Sequence, residues 1–254
     1  MFRYGEMHEK LGEISRNPEL GKMTPSRITA GVYFVGTYQA SCHIIDTGDG
    51  LIMIDPGYSC TFAYVLESLR MLGYEPADVK YIINTHWHGD HTEATAEMVK
   101  LSGAKTLIGR DDYERAKAYF EADILVDDSD TLTLGNTTVT FLHTPGHTKG
   151  TVSPFFTVTD GERELRVGMF GGAGVNTLSP GKYEFDGARA AYIASLDRLK
   201  KEKVDVFIGN HTWNNDTYGK AKAVAEGDTD AFVDPELWGK FLDCCMARIL
   251  AIKE

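Results

Sequence analysis

The chain has no run of 18 consecutive apolar residues, so no membrane-spanning helix is expected. Basic residues are also scarce. The 26 Lys and Arg face 37 Asp and Glu, a formal net charge of -11. Phosphate contacts need clustered Lys and Arg, so a nucleic-acid partner is not expected either. An acidic surface mainly favours solubility. Cysteine is limited to Cys42, Cys60, Cys244 and Cys245, with no C-x-x-C pair. These read as reduced thiols with packing roles, the adjacent pair lying in a helical pattern. Repeats and low-complexity tracts are absent. The N-terminal stretch "MFRYGEMHEKLGEISRNPEL" is charged throughout and lacks the apolar segment of a signal peptide. The expected setting is cytoplasmic, with a small-molecule substrate. Composition leaves the oligomeric state open.

What is present is a globular chain. Its 254 residues are 43% hydrophobic, enough for one large core and one domain. Residues 1–27 are polar and poorly periodic and read as an arm laid over a domain of residues 28–254. Strands are expected at 32–36, 41–48 and 50–57, the last two joined by the turn "TGDG". Helical spacing follows at 59–72, where Phe62, Val65, Leu66 and Leu69 share a face. Next come a buried strand at 79–83 and a helix ending before Gly103. A strand is expected at 105–108, a helix at 111–120 and a strand cluster across 124–142. A hairpin spans 151–171, a helix 186–200 and a strand 204–209. Helices near 217–226 and 236–252 close the chain. The alternation predicts an α/β fold in which two β-rich layers carry helices outside, an αββα sandwich.

The chemistry concentrates in "INTHWHGDHTEA", residues 83–94. His86, His88, Asp90 and His91 fall within six positions, in a chain with 8 histidines. They sit between a buried strand and a helix, where a loop is held from both sides. His86 and His88 are two apart, so an extended backbone aims both rings the same way. Gly89 permits a tight turn, and Asp90 and His91 can then face a second position nearby. Further ligands must come from elsewhere. "FLHTPGHTKGT" offers His147 in a Gly-flanked turn, whereas His143 reads as a strand-end packing residue. "FIGNHTWNND" offers His211 directly after a strand. His43 lies within a strand pattern and reads as structural, and His8 as solvated in the arm. Imidazole and carboxylate without thiolate suit zinc, and also iron or manganese. Six ligands divide into two triads: His86, His88 and His147 for one ion, Asp90, His91 and His211 for the other. Each triad leaves room for a shared water, whose pKa a zinc ion lowers toward about 7.

H-x-H-x-D-H after a strand, then T-P-G-H-T, then a late strand-end histidine, resembles the metallo-β-lactamase superfamily. The segment "LIMIDPG" with Asp55 resembles that superfamily's early Asp-x-Gly motif. The resemblance runs from about residue 28 to 215 and implies the αββα fold and a metal-dependent hydrolase. It also implies that Asp55 is a buried support for the metal loop, not a ligand. One position departs from most hydrolases of the superfamily. Their metal-bridging aspartate follows the later hairpin strand, but here Gly172 stands in "RVGMFGGAGVN". No Asp, Cys or His occurs between residues 161 and 185. The remaining ligand set resembles the third subclass of metallo-β-lactamases, as do the long hairpin and the loop "NTLSPGKYEFDG".

The mechanism this implies uses two Zn2+ ions. A bridging hydroxide attacks a carbonyl carbon, and the three-histidine zinc stabilises the oxyanion. Asp90 holds the second zinc and orients the hydroxide. Tyr38, Gln39, Phe155 or Phe156, the 176–185 loop and Trp213 are expected to wall the pocket, from loop position. Three other readings compete: a lactone, thioester or other ester substrate on the same site, a redox protein, and a non-catalytic metal-binding module. Fold and metal alone do not choose the substrate. A cytoplasmic setting weighs against a role confined to antibiotic resistance.

Overall fold

The computed structural model describes residues 9–253. His8 and the start of the expected arm lie outside the described residues. Two sheets face each other. The first has seven strands in chain order: β1 (Ser26–Thr29), β2 (Val32–Phe34), β3 (His43–Asp46), β4 (Leu51–Ile54), β5 (Val79–Asn84), β6 (Lys105–Gly109) and β7 (Ile124–Val126). β1 to β4 pair antiparallel, and β4 to β7 pair parallel. The second sheet holds β8 (Thr131–Leu134), β9 (Thr137–His143), β10 (Val152–Asp160), β11 (Arg163–Gly168) and β12 (Val206–Phe207), in the order β12-β11-β10-β9-β8. β1 begins inside the stretch read as an arm. That arm also contributes Ile14 and Met23 to the core.

Strand parity builds three apolar layers. In β4, Ile52 and Ile54 face the space between the sheets, while Leu51 and Met53 face outward. Both faces are covered, which is why "LIMI" is apolar without alternation. The central layer joins Phe34, Ile45, Ile83 and Leu107 to Phe141, Val152, Phe156 and Val167 of the opposite sheet. Outside the first sheet, helix α1 (Phe62–Met71) packs with Phe62, Val65 and Leu69. Outside the second, helices α2 (Ala188–Leu199) and α3 (Leu237–Ala251) supply Tyr192, Leu196, Trp238, Phe241 and Ile249. The architecture is the αββα sandwich. The closing helix packs on its own body, leaving Leu250 at 61% exposure.

Several elements are shorter than their apolar patterns. The helix expected at 111–120 is regular only over Tyr113–Ala116. The strand expected at 204–209 pairs only at Val206 and Phe207, because the chain then leaves the sheet toward His211. Cys42 and Cys245 are buried as expected of packing thiols, while Cys60 is exposed. No helix among the described residues is long and apolar enough to cross a membrane.

Candidate metal centre

All the chemistry lies at one end of the sandwich, where strands of both sheets stop. β5 ends at Asn84 and runs into Thr85 and His86. β9 ends at His143 and turns through Gly146 to His147. β12 ends at Phe207, four residues before His211. The two sheets are tied together here by Val152 N donating to Thr85 O at 2.9 Å. Gly146 adopts φ +148, and a Cβ there would meet Tyr192 Cβ at 2.4 Å, so the His147 turn requires glycine. Gly89 lies in a tight turn, His91 N donating to His88 O at 3.0 Å. It opens a short helix, Gly89–Thr92, without positive φ, and its Cβ would crowd Glu93 and Tyr119.

Five histidines and Asp90 converge. His88 Nδ1 lies 3.0 Å from His147 Nε2. Ring centroids of His86 stand 4.8 Å from His88, 4.8 Å from His147 and 4.2 Å from His91. His91 Nε2 is 3.3 Å from Asp90 Oδ2, and His211 Nε2 is 3.6 Å from the same oxygen. Ligand atoms of His86, His88 and His147 lie within 4.8 Å of one another, as do those of His86, Asp90 and His91. His211 flanks the second group, its ring 5.1 Å from that of His91. His143 is not part of this cluster; its Nε2 donates to Lys149 O at 2.8 Å. His43 is fully buried between the sheets, edge-on to Phe34, and burial lowers its pKa to about 3.

The far side of each ring is held. His91 Nδ1 donates to Asp55 Oδ2 at 2.8 Å, His147 Nδ1 to Gly174 O at 2.9 Å and His211 Nδ1 to Gln39 O at 2.8 Å. His88 is reversed, its Nε2 donating to Glu184 Oε1 at 2.8 Å. Carbonyls and carboxylates only accept, so each of these rings keeps a proton on its far nitrogen. The near nitrogen is thereby offered to a cation. His86 Nε2 and His91 Nε2 are buried without a hydrogen-bond partner. Two imidazole lone pairs 3.0 Å apart repel unless a cation lies between them. The donor set therefore fits a metal, and this is a metal site of His and Asp residues.

Electrostatics point the same way. Burial alone would raise the Asp90 carboxyl, but His91, His211 and His88 beside it hold it well below the carboxylate range. Burial opposes charge on His91, yet Asp90 and Asp55 raise it to about 10. Burial and the neighbouring rings lower His86 and His147, the latter to about 3. One end of the cluster thus favours a positive charge and the other favours neutral rings.

Two supports behind the ligands are buried carboxylates. Asp55 is fully buried at φ +52, a left-handed conformation that costs about 1–3 kcal/mol for a residue other than glycine. It accepts from Thr85 N at 2.8 Å and Thr85 Oγ1 at 2.7 Å besides His91. Asp112 was not singled out from the sequence. It accepts from Trp87 N at 3.2 Å, Thr148 Oγ1 at 2.6 Å and Gly150 N at 2.6 Å, joining the two metal loops. Burial raises its pKa to about 6. Glu184 was also missed, within a loop singled out only as a whole.

Above Asp90 and His211 opens a cavity of about 450 Å³. Gln39, Tyr58, Asn176, Trp213 and Arg248 stand in its wall. Trp213 stacks on His211, centroids 4.5 Å apart and planes at 6°. Two expected wall residues do not reach it. Phe155 is fully buried in the outer helical layer against Trp238, and its neighbour Phe156 points into the central core. Tyr38 is 4% exposed and packs beneath Trp213 at 6.1 Å. Strand alternation buries both phenylalanines because both faces of β10 are covered.

Residues 35–211 match the metallo-beta-lactamase superfamily, and the chain belongs to it. Solved structures similar to it include subclass B3 enzymes. A subclass B3 metallo-beta-lactamase of Bradyrhizobium japonicum is 28% identical with a TM-score of 0.83, over 91% of this chain and 96% of that one. A class B3 di-zinc metallo-beta-lactamase from an Alaskan soil metagenome is 25% identical with a TM-score of 0.81, over 91% and 94%. Among curated proteins, a hydroxyacylglutathione hydrolase of Pelagibacter ubique is 31% identical over 52% of this chain and 52% of its own length. The chain spans about half the length of such curated relatives.

Proposed function

We propose that the protein is a dinuclear zinc hydrolase that opens the amide of a β-lactam. His86 Nε2, His88 Nδ1 and His147 Nε2 would hold one ion; Asp90, His91 and His211 would hold the other. When bound, the metal pair supplies a nucleophile at neutral pH and a Lewis acid for a carbonyl oxygen. The chain's own part is orientation. The Asp90 carboxylate, kept ionised by its histidines, would accept a hydrogen bond from the attacking group and fix its direction. Trp213 and Asn176 flank the entry, and the Tyr58 phenol, raised by burial and by Asp90, stays a donor facing the cavity. The cavity volume suits a small-molecule substrate.

One observation carries the choice of reaction. At Gly172 a Cβ would lie 2.8 Å from Thr151 Cγ2 and 2.9 Å from His147 Cβ. The turn after β11 therefore has no space for a bridging carboxylate, and six candidate ligands stand around the site without it. The near-complete overlap with subclass B3 enzymes supports the same reading. A lactone, thioester or other ester is the second reading, favoured by the likeness to a hydroxyacylglutathione hydrolase. The test is turnover by the zinc-loaded protein of a chromogenic cephalosporin, an acyl homoserine lactone and an acylglutathione thioester. The cephalosporin should be the best substrate by kcat/KM. Turnover of the ester or thioester with an inert cephalosporin would replace the first reading by the second.

A further inference from the structure

The loop over residues 176–187 leaves the cavity wall, buries Leu178 in the outer apolar layer, runs exposed over residues 180–183 and returns to the metal centre at Glu184, next to Phe185 packed on the same layer. Tyr183, beside it, is 40% exposed. Glu184 turns inward, and its side chain is 13% exposed against 18% for His88. Its Oε1 accepts from His88 Nε2 at 2.8 Å, and its Oε2 accepts from Trp87 Nε1 at 3.0 Å. Arg115 completes the cluster. Its guanidinium lies 3.7 Å from Glu184 Oε2 and 4.9 Å over the Trp87 ring. At its start the loop is anchored by Thr177 Oγ1 donating to His147 O at 2.8 Å.

His88 differs from the other rings in two ways. It presents Nδ1 to the ion, so its proton must sit on Nε2. Its partner is a carboxylate side chain on an irregular loop, whereas His91 and His86 are backed by Asp55 and Thr85 at the sheet ends and His147 and His211 by the backbone carbonyls of Gly174 and Gln39. A carboxylate is the strongest acceptor available for that proton, and it resists rotation of the ring away from the ion.

We propose that Glu184 is a positioning residue for the three-histidine site and that it couples the docked state of loop 176–187 to metal occupancy there. The proposal rests on the reading that His86, His88 and His147 hold an ion. A contact that strengthens metal binding must be strengthened by the metal to the same factor. Zinc should therefore hold the loop down, and the docked loop should hold zinc. The loop also carries Asn176 at the cavity wall, so metal loading would complete the substrate pocket.

The experiment uses the full chain as wild type, Glu184→Ala, Glu184→Gln and the surface control Glu162→Gln. Zinc affinity is measured by competition with a chromophoric chelator, and hydrogen exchange of residues 176–187 with and without zinc. In wild type, zinc should slow exchange in the loop. Glu184→Ala should weaken one of two zinc sites by about 10–100-fold, the range for loss of a ligand's supporting partner, and should abolish the zinc effect on the loop. Glu184→Gln keeps an acceptor oxygen and should fall between, while retaining the wild-type melting curve. The control should match wild type. Two unchanged zinc affinities in Glu184→Ala, or loop exchange indifferent to zinc in wild type, would overturn the proposal. A wild-type protein that takes up no zinc would instead overturn the metal reading on which it rests.

Discussion

The two halves of the metal centre are built differently. His86 and His147, at 1% and 6% exposure, form the more closed end with His88, whose side chain is 18% exposed. The other half contains a carboxylate, backs His91 with a second carboxylate and leaves the Asp90 and His211 side chains 24% and 19% exposed. The cavity opens over that second half. The contrast separates two tasks. A mostly buried triad of imidazoles can hold and polarise with little competition from water. One with a carboxylate at the cavity can accept hydrogen bonds and meet substrate, because a charge at a cavity mouth remains partly solvated.

The largest test of the contrast is Asp90→Asn. The amide keeps the shape but loses the charge that balances His91 and the bound cation. Activity should fall by about 10²–10⁴-fold, the range of positioned acid–base groups. Zinc per chain, by elemental analysis, should drop from two toward one, since the three-histidine triad is untouched. Two retained ions with near-normal turnover would mean that Asp90 only supports its loop.

The same contrast explains what was legible in the sequence. His86, His88, Asp90 and His91 stood out because a strand end and one helical turn force them together within six residues. His147 and His211 were legible because each follows a buried strand. Glu184 and Asp112 carried no such signal. Glu184 lies in an irregular loop without periodicity, and Asp112 sits 25 residues from Trp87 and 36 from Thr148. Their role exists only once the loops meet. The aromatic walls failed for another reason. "FF" in β10 places adjacent rings on opposite faces, but sequence alone does not tell that both faces are covered.

A smaller test concerns Gly172, where relatives with a bridging carboxylate would carry an aspartate. Gly172→Asp restores the charge on paper. The observed packing predicts damage instead, because Thr151 is stiff and fully buried and His147 Cβ is tied to its backbone. The substitution should destabilise by about 1–3 kcal/mol, the usual cost of overpacking. Melting curves would show this as a Tm lowered by about 2–4 °C per kcal/mol. Because the clash falls on His147, zinc binding at the closed triad should weaken. A variant of unchanged Tm that binds both ions more tightly would show that the turn after β11 can yield.

The smallest effect is expected at His143, and it sharpens the contrast because His143 and His147 share one motif. His143 ends β9, where its ring turns back to Lys149 O and caps the loop from outside. Its backbone N–H donates to Asp128 at 2.9 Å whatever side chain it carries. His143→Gln keeps a donor of similar reach and removes the imidazole. Stability should change by no more than about 0.5 kcal/mol, as for most partly exposed surface positions. Zinc content should remain that of wild type and turnover should stay within about twofold, since no ring in the cluster leans on His143. His147→Gln, made beside it, should lose metal from the closed triad. If His143→Gln instead depleted zinc, the loop from 144 to 151 would be set by its outer bond rather than by Asp112 and the Gly146 turn.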